Sequence, residues 1–237
     1  MESFRSLFRI SVLMFLIGGC CSGTVVDSVD YPREFGTNQE EKRKIDIETL
    51  RQSTVAIIDD SMGFNIPTCT GVWIGKSSIL TAAHCVEDEL IIKYSTVDEY
   101  TDKARTATVV GIDKDTDLAL LLAPAGDVKH PVVSLSNQII SSGDSVDIMG
   151  HPVGYAWSYM NGSVGAIREL KGPTGRLRKV AQISAPVWMG VSGGGAFDSS
   201  GNLIGLCSWV SKNGPNLAFF IHKDEIQDFL KRELSKL

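Results

Sequence analysis

No stretch of this sequence is rich in lysine and arginine. The chain carries 23 Lys+Arg against 28 Asp+Glu, a formal net charge of −5. Binding to nucleic acid needs cations that displace counterions from phosphate, so a nucleic-acid partner is excluded as an expectation. No apolar run reaches the ~20 residues that cross a bilayer as a helix. Cysteine is scarce: five residues are too few for a disulfide-dense miniprotein, and an odd count leaves at least one without an internal partner. No His-x-x-x-His pair is present, which disfavours a zinc metalloprotease. Repeats and low-complexity segments are also missing. Glycine is abundant, at 23 of 237 residues, and this implies many turns. Hydrophobic residues at 43% and charged residues at 22% describe an ordinary globular chain with enough length for a real core.

The first residues have the layout of an export address. Arg5 and Arg9 supply a positive start, Ile10 to Ile17 form an apolar run broken only by Ser11, and Gly18 and Gly19 precede Cys20. Residues 1–19 therefore read as a signal peptide. Ile17-Gly18-Gly19-Cys20 resembles a bacterial lipobox, in which the cysteine is diacylated and becomes the new N-terminus. Cleavage a few residues later, after Gly23, is the alternative and would release a free secreted protein. Residues 20–51 read as a polar tether with a short helix at Ile45 to Leu50. The expected location is the cell envelope, with a membrane tether through Cys20, or the exterior.

From residue 52 to 237 the pattern changes. Short apolar runs such as STVAII, CTGVWIG, TATVVGI, LALLLA, HPVVSL, SVDIMG and LIGLCSWV alternate with turn signals such as SSGD, GPTG and KNGPN. Many short strands at about 8–12-residue spacing point to an all-β barrel or sandwich. Only KDEIQDFLKREL has helical period, with Ile226, Phe229, Leu230 and Leu234 on one face. No stretch beyond this helix is left for a protein-recognition module, so such targeting is expected to come from a partner or the lipid.

Three stretches carry chemistry: Thr81-Ala82-Ala83-His84-Cys85, the charged turn Asp113 to Asp117 entering Leu118-Ala119-Leu120, and Gly190-Val191-Ser192-Gly193-Gly194-Gly195. A serine hydroxyl is a weak nucleophile at neutral pH and needs a base, and the base needs an orienting acceptor. Histidine suits the base role because its ordinary pKa lies near working pH. A carboxylate behind the imidazole fixes its tautomer. Glycines around the serine let backbone N–H groups reach a developing oxyanion, with Gly190 and Ser192 as natural donors. Alone, each residue has a blander reading as a structural histidine, a turn aspartate or a loop glycine. Their conjunction is what points to catalysis. His130, His151 and His222 have no such context and read as structural.

Taken together, these motifs resemble the trypsin/chymotrypsin-like serine proteases, in style their Deg-type and glutamyl-endopeptidase-like bacterial branches. TAAHC is similar to the family's histidine motif, Asp117-Leu118-Ala119-Leu120 to its aspartate motif, and GVSGG to its Gly-x-Ser-Gly-Gly. Ser208-Trp209 followed by Val210 resembles the strand that binds substrate backbone. The resemblance runs from about Ser53 to the C-terminal helix, in the order His, Asp, Ser. It implies two six-stranded antiparallel β-barrels with a C-terminal helix and the site in the cleft between them. It implies a His84-Asp117-Ser192 triad acting on polypeptide substrates, an oxyanion hole at Gly190 and Ser192, and substrate binding by Ser208, Trp209, Val210 and Asn216. No metal or organic cofactor is implied. It also implies a disulfide between Cys69 and Cys85, worth roughly 3 kcal/mol for a loop of this size. Cys207, in an apolar strand, reads as a buried thiol; a cysteine nucleophile there is the sharper alternative.

The chain departs from the family in three places. Val191 stands where trypsin-like zymogens have an aspartate that pairs with a new N-terminal amine, and no Ile-Val-Gly-Gly start lies upstream. Activity without internal cleavage is therefore expected. Gly195 stands where proline is usual and is expected to loosen the turn after the serine. Val210 replaces a pocket-opening glycine, Asn216 and Ala218 would lie across from it, and no acidic residue lies in Ala185 to Met189. A shallow pocket for a small or medium apolar side chain follows.

Two rivals have other chemistry or none. Gly190 to Gly194 also fits the nucleophile elbow of α/β-hydrolases, but that fold needs a helix after the serine and a catalytic histidine later in the chain. A catalytically inactive, protease-shaped envelope binding module is the other, and such modules usually lose a triad member.

Overall fold

The computed structural model describes residues 46–59, 66–86, 89–99, 104–124, 130–214 and 216–236. The signal-peptide and tether readings up to residue 45, Cys20 included, lie outside them. Among the described residues, twelve strands form two closed antiparallel barrels. The first contains β1 (Thr54–Asp59), β2 (Ile66–Trp73), β3 (Ser78–Thr81), β4 (Ile91–Ser95), β5 (Arg105–Asp113) and β6 (Leu118–Leu122), ordered β1-β2-β3-β6-β5-β4. The second contains β7 (Ser145–Gly150), β8 (Ser158–Lys171), β9 (Leu177–Ser184), β10 (Gly195–Phe197), β11 (Leu203–Val210) and β12 (Leu217–His222), ordered β10-β11-β12-β9-β8-β7. Two helices, α1 (Ile47–Gln52) and α2 (Lys223–Leu234), flank them. The fold is the two-barrel, chymotrypsin-like one.

Side-chain alternation explains why several strands are apolar throughout rather than every second residue. In β6, Ala119 and Leu121 face the interior of the first barrel, while Leu118 and Leu120 join the core shared with the second. In β1, Val55 and Ile57 point inward and Ala56 and Ile58 outward into the same shared core. Met149, Trp157, Phe197, Leu206 and Ile221 meet them from the second barrel. The Trp157 indole N–H also donates to Thr54 O at 3.0 Å, a hydrogen bond between barrels.

Local sequence sets the helix ends. Asp46 caps α1 by accepting from Glu48 N at 3.1 Å, so the helix runs two residues later than its apolar pattern suggested. In α2, Ile226 and Phe229 are buried as their spacing requires, but Leu234 is 47% exposed and Glu233 is buried instead. Arg232 and Lys236 flank that carboxylate at 3.0 and 2.6 Å, and the missing side chain of Gly111 leaves it room. The run HPVVSL is not a strand. It is extended chain linking the barrels, with one isolated bridge between Leu135 and Leu203, and Pro131 has no N–H to give a ladder. Conversely, Gly195–Phe197 forms the short strand β10.

Candidate active site

β3 ends at Thr81, and the chain turns through a single 3-10 turn, Ala83–Cys85, that carries His84. A disulfide between Cys69 and Cys85 ties this turn to β2 across a sequence separation of 16. The next feature is the turn between β5 and β6. Asp113 accepts from Asp115 N and Thr116 N at 3.0 and 3.1 Å, and the turn ends on Asp117 in the left-handed region, φ 61°. Aspartate tolerates that region better than most residues. The conformation directs the Asp117 carboxylate at His84. Its oxygens lie 3.0 and 2.9 Å from His84 Nδ1, and Oδ1 also accepts from the His84 backbone N–H at 3.0 Å.

Behind that pair, the Ser208 hydroxyl in β11 donates to Asp117 Oδ2. Burial alone would raise the Asp117 pKa, but the hydrogen bonds from His84 and Ser208 outweigh it and hold the carboxyl below the usual range. Asp117 is thus a half-buried anion that accepts from imidazole and hydroxyl. His84 keeps 43% of its side chain exposed to the cleft.

The second barrel supplies the facing wall. A cleft of about 340 Å³ is lined by His84 and Cys69 on one side and by Trp188, Met189, Gly190, Ser192, Ser208, Trp209 and Val210 on the other. The expected residues Ser192, Gly190, Ser208, Trp209 and Val210 therefore share one cavity with His84. Val210 pairs in register with Ala218, as expected across the pocket. Asn216 is not among the lining residues; it sits exposed in a left-handed turn, φ 59°, with its carbonyl accepting from Ala185 N.

Backbone geometry around Ser192 follows from its glycines. Gly190 (φ 96°) and Gly193 (φ 81°) adopt a conformation that L side chains rarely take. A Cβ on Gly190 would run into the His151 carbonyl, and one on Gly193 into the Thr70 carbonyl. In a trans peptide the N–H points opposite to the C=O. Met189 O accepts from Val153 N and Val191 O from Gly194 N, both at 2.7 Å. These anchors turn the N–H groups of Gly190 and Ser192 to the other side, and among the described residues neither has a backbone acceptor. The pair can serve an anion that arrives in the cleft.

Other sequence expectations meet specific packing. Gly195 does not loosen a turn. It opens β10 in register with Leu206, and a Cβ there would strike the Phe197 ring and Leu203 Cδ1, the latter at 2.8 Å. Cys207 is a buried free thiol, pushed up by burial and by the nearby Asp117 carboxylate, which removes the thiolate a cysteine nucleophile requires. His130 stacks on Trp73 at 3.8 Å, His222 caps α2, and His151 is buried against Thr70. Among the described residues, ligand-type atoms gather only at Cys69, His84 and Cys85, and the two sulfurs are spent in the disulfide.

Residues 69–206 match the model of the trypsin-like peptidase domain, and the chain belongs to that family. It is 31% identical over 140 residues to Protease Do-like 1, chloroplastic, of Arabidopsis thaliana, covering 57% of this chain and 31% of that protein. It is likewise 31% identical over 166 residues to a serine protease HtrA-like of Staphylococcus epidermidis, covering 65% of this chain and 28% of that one. The chain thus spans only about a third of the length of these curated relatives. In fold it is similar to the active form of the Rv3671c protease from M. tuberculosis, with TM-score 0.67 and 21% identity over 79% of this chain and 83% of that one. It is also similar to the serine endoprotease from Yersinia pestis, with TM-score 0.66 and 22% identity over 81% and 67% of the two chains.

Proposed function

We propose that this protein is an exported serine endopeptidase. The observation that carries the reading is the Asp117 carboxylate, which holds the ring and the backbone N–H of His84 together beside a cleft that Ser192 also lines. In the proposed cycle Ser192 attacks the scissile carbonyl while His84 takes its proton. Asp117 keeps the His84 proton on Nδ1 and stabilises the imidazolium. The Gly190 and Ser192 amides receive the oxyanion. His84 then protonates the leaving amine, and water repeats the sequence on the acyl-enzyme.

Two further features refine the proposal. Val191 is fully buried in the apolar core of the second barrel, and a Cβ on Gly150 would touch it at 2.9 Å. No carboxylate is present there to pair with a new N-terminal amine, so the enzyme is proposed to act without internal cleavage. Protein with a blocked N-terminus should therefore hydrolyse peptides at the same rate as unblocked protein. Val210 and Met189 line the cleft with apolar side chains, which favours a small or medium apolar side chain before the cut.

Residues 1–19 are proposed to direct export, 20–51 to tether, and 52–237 to form the protease domain, with Cys20 lipidated. Incorporation of labelled palmitate that Cys20→Ala abolishes would support the anchor, and equal labelling of both would refute it. For the activity, cleavage-site profiling of the wild type beside Ser192→Ala is the decisive experiment, together with labelling by a serine-directed phosphonate. Peptide hydrolysis and a covalent adduct should both vanish in the variant. Folded wild-type protein that forms no adduct would favour a binding module instead, and a profile dominated by Lys, Arg or Glu would reject the apolar pocket.

A further inference from the structure

His151 is fully buried, and its Nε2 has no hydrogen-bond partner among the described residues. A buried acceptor left unpaired is costly, so a structure that keeps one needs a return elsewhere. The other ring nitrogen indicates where. His151 Nδ1 lies 3.0 Å from Thr70 Oγ1, which lies 2.8 Å from Gly190 O. A carbonyl can only accept, so the single hydroxyl proton of Thr70 goes to Gly190. The hydroxyl must then accept from His151, which requires the ring proton on Nδ1. Burial pushes the His151 pKa down to about 3, so the ring is neutral near pH 7 and has one proton to give.

Thr70 and the loop at His151 grip Gly190 from both sides. Thr70 Oγ1 holds the carbonyl after it, and Val153 N holds the carbonyl before it at 2.7 Å. The His151 carbonyl fills the space where a Cβ on Gly190 would sit. Thr70 N also donates to Ser192 O at 2.8 Å. One residue of the first barrel thus fixes the peptide before the buried Val191 and the peptide after Ser192.

We propose that Thr70 and His151 are positioning residues for the oxyanion site: an imidazole-to-hydroxyl-to-carbonyl relay locks Gly190 with its N–H turned into the cleft. The relay does this with no N-terminal ion pair. The inference rests on the reading of the Gly190 and Ser192 amides as oxyanion donors.

Two measurements test it. In nitrogen-labelled Ser192→Ala protein, long-range proton–nitrogen correlation spectra should place the His151 proton on Nδ1, unchanged between about pH 5 and 8. Removing an oxyanion donor outright costs about 10²–10³ in kcat, so loosening one through Thr70→Val should cost about tenfold or more. KM should stay within about twofold, because the loss falls on the transition state. Thr70→Ser, which keeps the hydroxyl, should restore kcat. A ring proton found on Nε2 would overturn the relay, and so would wild-type kcat in Thr70→Val. If Thr70→Val does not fold, the tautomer measured in Ser192→Ala decides. An Nδ1–H ring in a protein that neither cleaves peptides nor takes a phosphonate would instead sink the protease reading, and the oxyanion role with it.

Discussion

At the scale of single residues, the site depends on how each side chain is held. Asp117 satisfies an imidazole, a hydroxyl and a backbone N–H with two oxygens. Replacing it by asparagine keeps the shape but presents an amide where the ring N–H donates, which favours the wrong tautomer. Asp117→Asn is expected to lower kcat by about 10⁴ with little loss of folding stability; steady-state kinetics beside a thermal melt would check both. Gly195 makes the opposite kind of demand, because the Phe197 ring and Leu203 already occupy its side-chain space. Gly195→Ala should destabilise the fold by about 1–3 kcal/mol through overpacking. An unchanged denaturation midpoint would contradict that.

The roles proposed for His84, Asp117 and Ser192 are suggested by the chain because each motif is local: a few adjacent residues point to the chemistry. Thr70 could not. Its partners His151 and Gly190 are 81 and 120 positions away, and Thr-Gly after a cysteine carries no signal by itself. Glu233 was missed for the same reason, since its burial depends on a glycine in β5.

At the scale of elements, α2 shows how a helix start is tied to protonation. His222 Nδ1 accepts from Asp224 N at 3.2 Å, a role open only to the neutral ring. Burial, the largest influence, brings its pKa down to about 4. A histidine depressed in the folded state binds its proton more readily when unfolded, so stability is full above the unfolded pKa of about 6.5 and falls as pH drops toward 4. His151, held at about 3, adds to the same trend over the same interval. Each contributes at most about 1.4 kcal/mol per pH unit. His222→Asn keeps a capping oxygen without the titration, so it should flatten the pH dependence between about 6.5 and 4.5. Urea denaturation at a series of pH values would measure the slope, and an unaltered slope would exclude His222 as its source.

The strands were legible wherever apolar runs met turn residues, and β6 was plain because both its faces are buried. HPVVSL had the composition of a strand yet serves as the linker, since its fate depends on where Trp73 and Leu203 offer backbone partners. The brief β10 starts on the last glycine of GVSGGG and is only three residues long, too short for a strand pattern to show.

At the scale of the molecule, the two barrels are joined by more than the cleft. They share an apolar core, and the Asp117 turn is clamped from the second barrel. Arg178 Nη1 donates to Asp115 O at 3.1 Å while its guanidinium lies over Trp209, 4.9 Å from the ring centroid. Thr174 N and Oγ1 donate to Asp115 Oδ1 at 2.9 and 2.8 Å, and Arg232 of α2 reaches Asp113 at 2.7 Å. Barrels so connected should unfold as one unit. Fluorescence of Trp73 in the first barrel and of Trp157 and Trp209 in the second, isolated by substituting the others, should give coincident denaturation curves. Two separate midpoints would show that the barrels melt independently.

The division of the site between barrels also bears on the order in which a newly made chain acquires its parts. His84 and Asp117 are translated early, on turns of the first barrel, whose six strands all precede those of the second. Ser192 and Ser208 follow much later, and the second barrel closes only when β12 emerges and pairs with both β11 and β9. During synthesis the histidine and aspartate therefore wait without their hydroxyls. A ribosome-bound intermediate holding a finished first barrel would have the proposed base without the proposed nucleophile, and on that reading could not cut the proteins around it.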